Sequence, residues 1–441
     1  MSAEPSSEEA RLRDERNAIS AEIGRRRAAG LPPDDLIDRH RAVSAQLDAL
    51  RAEGDGPTGG AAAAREGLTT EVETSSEAFS ALRDEWRDLL DDSRADTPFL
   101  RWEWLYSWWE VFGGGKQLRL VTVRGRPDGR LLALAPMMLG VGGQSRVLGF
   151  IGTGEVAEGD YWSIILRAGH EREALTAVWQ ALSLRQSEHD GVFLRDVWTA
   201  DPTLLALVAC AAESGWDALI ETRRQSVLGP LGADFAQFIG SVPDAFRRNQ
   251  LRATDEYLAR HGEGTTYAVA AGESDVERAL EAIARFSCTR QATKGGRSAW
   301  QDRRFGTFMR EACERLRGAG ALVVDTLQRG GDVTAGVVGF RQGGRYCCYQ
   351  IGFDPAAPPP APLHHLFARR IQACIDGGER VFDFLAGTHE YKTQYFSGRR
   401  PVGHLHLLPH THRSRRRIGG MMLAQGIRAQ ARQWLERRSP R

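Results

Sequence analysis

Three side chains within ten residues could carry transfer chemistry: Asp383, Tyr391 and Lys392. They follow an apolar run, Val381 to Leu385, that reads as the end of a buried strand turning at Gly387. Moving an acyl group asks for little more than this. An acceptor amine or hydroxyl must lose a proton, the leaving group must gain one, and the developing oxyanion needs a donor. Tyr391 could return the proton, Lys392 could face negative charge, and Asp383 could act as base. Asp383 could equally cap a turn, since Asp favours such positions. Only three lysines, Lys116, Lys294 and Lys392, stand among 58 Lys and Arg residues, so a lysine at this place is informative. A second group, Arg290, Lys294, Arg297 and Trp300, falls in a glycine-containing loop and could clamp an anionic substrate, with Trp300 as a stacking wall. Arg247 and Arg248 open a helix and could do the same; solvated surface charge is the alternative for both groups.

These residues need a frame, and the pattern supplies one. From Glu71 onward, helical and strand periods alternate, which predicts an α/β (α+β) sheet covered by helices. The clearest stretch is the second half. A strand over Thr265–Ala270 precedes helices over Asp275–Ala292 and Arg304–Arg317. Strands over Ala321–Gln328, Val333–Arg341 and Arg345–Phe353 follow, joined by Arg329-Gly330-Gly331 and Gln342-Gly343-Gly344 turns. A helix over Pro362–Ile375, a strand over Arg380–Leu385, a short helix near Glu390 and a strand over Val402–Leu408 close it. The first half carries the same order less clearly, with a helix over Ser76–Leu90 and strands at Leu118–Val123 and Leu131–Met138.

Residues 8 to 53 read as two helices broken at Gly30-Leu31-Pro32-Pro33, an antiparallel hairpin. The expected division is a hairpin arm over 1–56, a Gly/Ala-rich linker over 57–70, repeats over 71–230 and 231–410, and a basic tail over 411–441. From His410 onward nine arginines face the single Glu436, a surplus that could track phosphates or solvate a helix end.

Composition excludes several classes. With 42% hydrophobic and 26% charged residues the chain is neither disordered nor a membrane protein. The most apolar stretch, Leu131 to Val141, is too short to span a bilayer, and the chain opens on Ser, Glu and Arg, so a cytoplasmic location is expected. Six cysteines without a C-x-x-C pair argue for inert buried thiols. Cys347 and Cys348, adjacent on a strand, must point to opposite faces. His404, His406, His410 and His412 lack nearby carboxylate or cysteine partners, so no metal is expected.

Thr97-Pro98-Phe99-Leu100-Arg101-Trp102-Glu103-Trp104-Leu105 with Trp108-Trp109-Glu110, and Val381-Phe382-Asp383-Phe384-Leu385-Ala386-Gly387 with Glu390-Tyr391-Lys392, resemble the two signatures of the bacterial CelD/BcsL-type acetyltransferases. The resemblance covers roughly residues 75 to 410. It implies tandem GNAT-like acyltransferase domains, similar to the Fem aminoacyl transferases, and an acyl (acetyl) group moved to an amine or hydroxyl of a small-molecule or cell-envelope acceptor. It also implies acyl-CoA (acetyl-CoA) as donor, its pyrophosphate at the helix start marked by Leu363, His364 and His365. The family's glycine is replaced there by Leu363, which removes a residue that permits close backbone approach. Glu15-Arg16-Asn17-Ala18-Ile19-Ser20-Ala21-Glu22-Ile23-Gly24 and the helix after it are similar to the tRNA-binding arm of seryl-tRNA synthetases. That resemblance implies a second possibility, an aminoacyl-tRNA donor held by Arg25, Arg26 and Arg27 at the tip and by Arg415, Arg416 and Arg417 in the tail. A dimerisation hairpin, or a non-catalytic binding protein that keeps the fold, would carry the same features. Acceptor and oligomeric state are open.

Overall fold

The computed structural model describes residues 67–95, 97–140, 146–185, 188–254, 264–354 and 362–410, and the single residues 11, 15, 256 and 356. Residues 1–67 form one unit and 68–441 another. In the first, Arg11 and Glu15 are helical; the rest of the arm, Arg25 to Arg27 included, lies outside the described residues, as do Arg415 to Arg417.

The second unit runs through the same order of elements twice. The first repeat is β1 (Leu68–Glu73), α1 (Ser76–Ala81), α2 (Arg83–Asp91), α3 (Trp102–Phe112), β2 (Gln117–Gly125), β3 (Leu131–Leu139), β4 (Val147–Phe150), the short β5 (Ile165–Leu166), α4 (Glu171–Ser183), β6 (Gly191–Trp198), α5 (Pro202–Glu213) and β7 (Trp216–Pro230). Two helices, α6 (Phe235–Ser241) and α7 (Ala245–Arg252), lead to the second repeat. This comprises β8 (Thr265–Val269), α8 (Glu273–Thr293), α9 (Arg303–Gly318), β9 (Leu322–Arg329), β10 (Asp332–Gln342), β11 (Arg345–Phe353), α10 (Pro362–Asp376), β12 (Val381–Ala386), α11 (Glu390–Thr393) and β13 (Gly398–Pro409).

Local chemistry sets these boundaries. Ser75, Asp201, Asp234, Asp244 and Asp302 each accept a backbone N–H of the helix that follows, which fills one orphan donor per helix start. Gly330-Gly331 and Gly343-Gly344 all carry positive φ, the requirement of the tight turns that join twisted strands. The expected single helix over Ser76–Leu90 is instead two, meeting at Leu82, which is C-cap to one and N-cap to the other.

Among the described residues, thirteen strands form one sheet in the order β1-β2-β3-β4-β6-β13-β7-β12-β11-β10-β9-β8, with β5 beside β3. The two closing strands are exchanged. β7, which ends the first repeat, pairs with β12 of the second, while β13, which ends the second, pairs with β6 of the first; β7 and β13 pair with each other along twelve residue pairs. Each repeat alone would leave a central strand edge without its partner. The boundary expected at residues 230 and 231 therefore separates two repeats in sequence but not two sheets.

Packing crosses the same seam. Trp104 of α3 meets Phe308 of α9 edge-on at 4.7 Å and lies 5.3 Å from Phe340 and 5.1 Å from Tyr349. Phe99 lies 5.6 Å from Tyr349. The aromatic signature of the first repeat is thus core that joins the repeats. Cys347 belongs to this cluster and Cys348 to the one on the other face.

Candidate active site

In each repeat one pair of strands is parallel, and in each it is brief. β4 and β6 share two residue pairs; β11 and β12 share three, ending at Cys347 and Asp383. Beyond these the strands part, and a cleft outside the carboxyl ends of parallel strands at a switch in strand order is where open sheets place ligands.

The carboxyl end of β12 is built with care. A bulge opposite β7 falls between Asp383 and Ala386, and Leu385 within it has φ 60°, a left-handed backbone that costs an L-residue roughly 1–2 kcal/mol. Asp383 is fully buried. Its Oδ1 accepts the Leu385 N–H at 2.7 Å and the Tyr161 hydroxyl at 3.1 Å, and its Oδ2 accepts from Arg345 at 2.9 Å. Burial pushes the Asp383 carboxyl above its usual range, against the pull of Arg345. The Lys392 ammonium donates to the carbonyls of Phe384 (2.8 Å), Leu385 (3.4 Å) and Ala386 (2.8 Å). All three of its donors are engaged, and burial lowers its pKa. Ala386 N–H donates to Asp160, which also accepts from Arg224. Asp383 and Lys392 thus hold the strand end in its strained shape; neither faces an open space.

The first repeat repeats the device. Arg224 donates to Asp196 as well, at 2.8 Å, and Asp196 has φ 53° at a bulge opposite β13. Tyr161, at φ 67°, donates its backbone N–H to the Asp196 carbonyl. Among the described residues, the three non-glycine positions with left-handed backbone are Tyr161, Asp196 and Leu385. All lie in this one buried network where the repeats meet, and strain held by an over-determined surrounding marks functional regions.

The side chains able to act on a substrate sit just outside this clamp. His389 is exposed at the turn before α11, and its ring stacks on Tyr391 with centroids 6.1 Å apart. Partial burial, then the charges of Lys392, Arg290 and Lys294, lower the His389 pKa, so the imidazole is neutral near pH 7 and can take a proton. Burial raises the Tyr391 pKa, which keeps its hydroxyl a donor. Tyr391 also stacks on Phe367 of α10, and this contact sets the first turns of α10 beside the end of β12. His389 was missed in sequence because a lone histidine in a turn has no periodic or paired signal. Its place between Gly387 and Tyr391 in the second signature was the available clue.

At the start of α10, Leu363 turns into the apolar core, so its side chain packs and binds nothing. His364 Nδ1 lies 2.9 Å from the Tyr395 hydroxyl, and Arg247 lies over the Tyr395 ring at 5.1 Å and donates to Gln394. Arg247, His364, His365 and Tyr395 line a cavity of about 60 Å³. The structure thus forms two groups, Arg247, His364 and His365 around the cavity, and His389, Tyr391, Arg290 and Lys294 within electrostatic or ring contact of one another, with the Phe367 ring near His364 and Tyr391. It does not bring in the remaining candidates. Arg248 donates to the Val242 carbonyl, Trp300 donates to Gln350 on β11, and Arg297 lies near Asp302. His404 Nδ1 accepts the Asp196 backbone N–H, His406 stacks on Phe193, and His410 pairs with Asp217; His412 lies outside the described residues.

The histidines make stability pH-dependent. Burial first pushes His364 down to about 3, and His365 and His404 down to about 4. Unfolded, each takes up a proton near pH 6.5. Below that pH the unfolded chain binds more protons than the folded one, so stability falls with pH. Asp196, pushed up to about 7 by burial, acts in the opposite direction and offsets about one histidine. The urea midpoint is expected to drop between pH 7 and pH 5, and the double variant His364→Gln/His365→Gln to flatten that drop. A wild-type midpoint constant over this range would refute the assignment.

Residues 245–393 match the family model described as Acetyltransferase (GNAT) domain; that span holds the β11–β12 divergence, α10 and the turn at His389. No curated protein sequence matches the chain. Among solved structures the chain is similar to FemX, with TM-score 0.53 and 10% identity over 77% of this chain and 96% of FemX. It is also similar to L-PGS from Bacillus licheniformis (TM-score 0.44, 12% identity, 75% of this chain and 92% of that one). A third similar structure is a tandem GNAT protein from the clavulanic acid biosynthesis pathway (TM-score 0.42, 11% identity, 77% and 98%). The likeness to FemX bears on the fold alone.

Proposed function

We propose that this protein transfers an acyl group from a thioester donor of the acyl-CoA class to an amine or hydroxyl acceptor at the carboxyl end of β12. The observation that carries this reading is the match of residues 245–393 to an acetyltransferase (GNAT) domain, together with the position of His389 and Tyr391 within it. Neutral His389 takes the acceptor's proton as the N–C or O–C bond forms. The C–S bond then breaks, and Tyr391 protonates the departing thiolate and recovers its proton from His389. The first-turn N–H groups of α10, which have no intrahelical partner, and the cations Arg247, Arg290 and Lys294 are suited to the donor's phosphates. Leu363 leaves that approach open because its side chain is in the core.

The arginine clusters at residues 25–27 and 415–417 favour a second reading, in which the donor is an aminoacyl-tRNA. One assay separates the two. The full chain is incubated with acetyl-CoA and a panel of small amines, and free thiol is followed. Acceptor-dependent thiol release is expected. No release with any amine, alongside transfer of a labelled amino acid from aminoacyl-tRNA, would replace the first reading by the second.

A further inference from the structure

The cavity of about 60 Å³ at the start of α10 has walls whose polar groups are engaged with one another. Arg247 donates to Gln250 and to Gln394 and lies over the Tyr395 ring. The Thr254 hydroxyl donates to the Gln250 carbonyl at 3.0 Å, and the Tyr395 hydroxyl is 2.9 Å from His364 Nδ1. What the wall offers a ligand directly is mostly carbon: the Leu251 and Ala253 side chains, the Thr254 methyl and the rings. His364 and His365 add no charge near pH 7, since burial pushes them down to about 3 and about 4. A polar occupant would have to separate buried partners, whereas a hydrocarbon gains from every part of its surface removed from water. The cavity fits an apolar group.

A water-sized group needs roughly 10–15 Å³ of such space, so the volume suits roughly four to six carbons. Its place assigns the source. Ring contacts run from His389 to Tyr391 at 6.1 Å, from Tyr391 to Phe367 at 6.1 Å and from Phe367 to His364 at 6.4 Å. The base that meets the acceptor stands at one end of this row and the cavity at the other, beyond the residue that protonates the donor's sulfur. His364 and His365 also belong to the first turn of α10, beside which the donor lies in that reaction. We infer that the cavity holds the hydrocarbon chain of the donor's acyl group, a straight chain of roughly four to six carbons. This rests on the acyl-CoA reading and adds to it the length of the group transferred.

The test is calorimetric titration of the full chain by acetyl-CoA and by hexanoyl-CoA, without acceptor. Hexanoyl-CoA is expected to bind at least tenfold tighter, since each methylene buried is worth about fourfold in affinity. Ala253 lines the cavity from an exposed position, so Ala253→Phe fills it without disturbing the core and should keep the wild-type melting temperature. In that variant the preference should fall below the worth of one methylene, about fourfold; Ala253→Leu, a smaller plug, should give an intermediate value. Hexylamine and ethylamine, titrated in the same way, address the acceptor. Equal affinity for the two thioesters overturns the chain site and leaves the acyl-CoA reading standing, whereas binding by neither overturns both. A length preference confined to the amines gives the chain to the acceptor and overturns the assignment. A hexanoyl preference that survives both Ala253 substitutions does so as well, because the chain then lies elsewhere.

Discussion

Replacing Arg345 by methionine is expected to lower the stability of the folded chain by about 3–5 kcal/mol, the usual cost of leaving a buried charge without its partner. Arg345 and Asp383 are 4% and 0% exposed and form an ion pair at 2.9 Å. Without the guanidinium, Asp383 keeps the Tyr161 hydroxyl and the Leu385 N–H as hydrogen-bond donors and the weaker pull of the Arg400 charge. It must then be protonated or stay charged in an apolar surrounding, and either state relaxes its hold on the left-handed Leu385. Urea unfolding measures the effect. The double variant Arg345→Met/Asp383→Leu should recover part of the loss, because it removes the orphaned charge together with its partner. A single-variant loss below about 1 kcal/mol would show that the pair does not hold the strand end.

His389→Gln is expected to lower kcat/KM for acyl transfer by about 10²–10⁴-fold, the range for removing a positioned general base. Folding should be unaffected, because the side chain is exposed. The pH profile gives an independent readout. The base form of His389 exists above its folded pKa, and that pKa is lowered from 6.5. The rate of the wild-type enzyme should therefore hold below pH 6.5 and fall only at more acid pH, while the residual rate of the variant should lack that acid limb. A variant with near wild-type kcat/KM, or with the same acid limb, would remove His389 from the reaction.

The sequence by itself determined the elements of the second repeat and their order. Period, caps and glycine pairs act over a few residues, and the second repeat follows them within one or two positions from α8 through β12, while β13 begins at Gly398, four residues before the expected start. The opposed faces of Cys347 and Cys348 were legible for the same reason, because alternation along a strand is local. The strand end turning at Gly387 was legible too, since β12 ends at Ala386 and Gly387 carries positive φ.

Which residues there are free to act was decided only by tertiary structure. Asp383 meets Tyr161 across 222 positions of sequence, and Ala386 meets Asp160 across 226, separations at which no pattern in one sequence marks a pair. Those contacts exist because β7 and β13 exchange places and bring the two repeats edge to edge. The exchange holds Asp383 inward as a clamp, while Lys392 is held by the nearby carbonyls of Phe384, Leu385 and Ala386, and the outer face of the same turn is left to His389 and Tyr391. A sequence fixes what each side chain can do; burial and partners, which depend on strands hundreds of residues away, decide what it is left able to do.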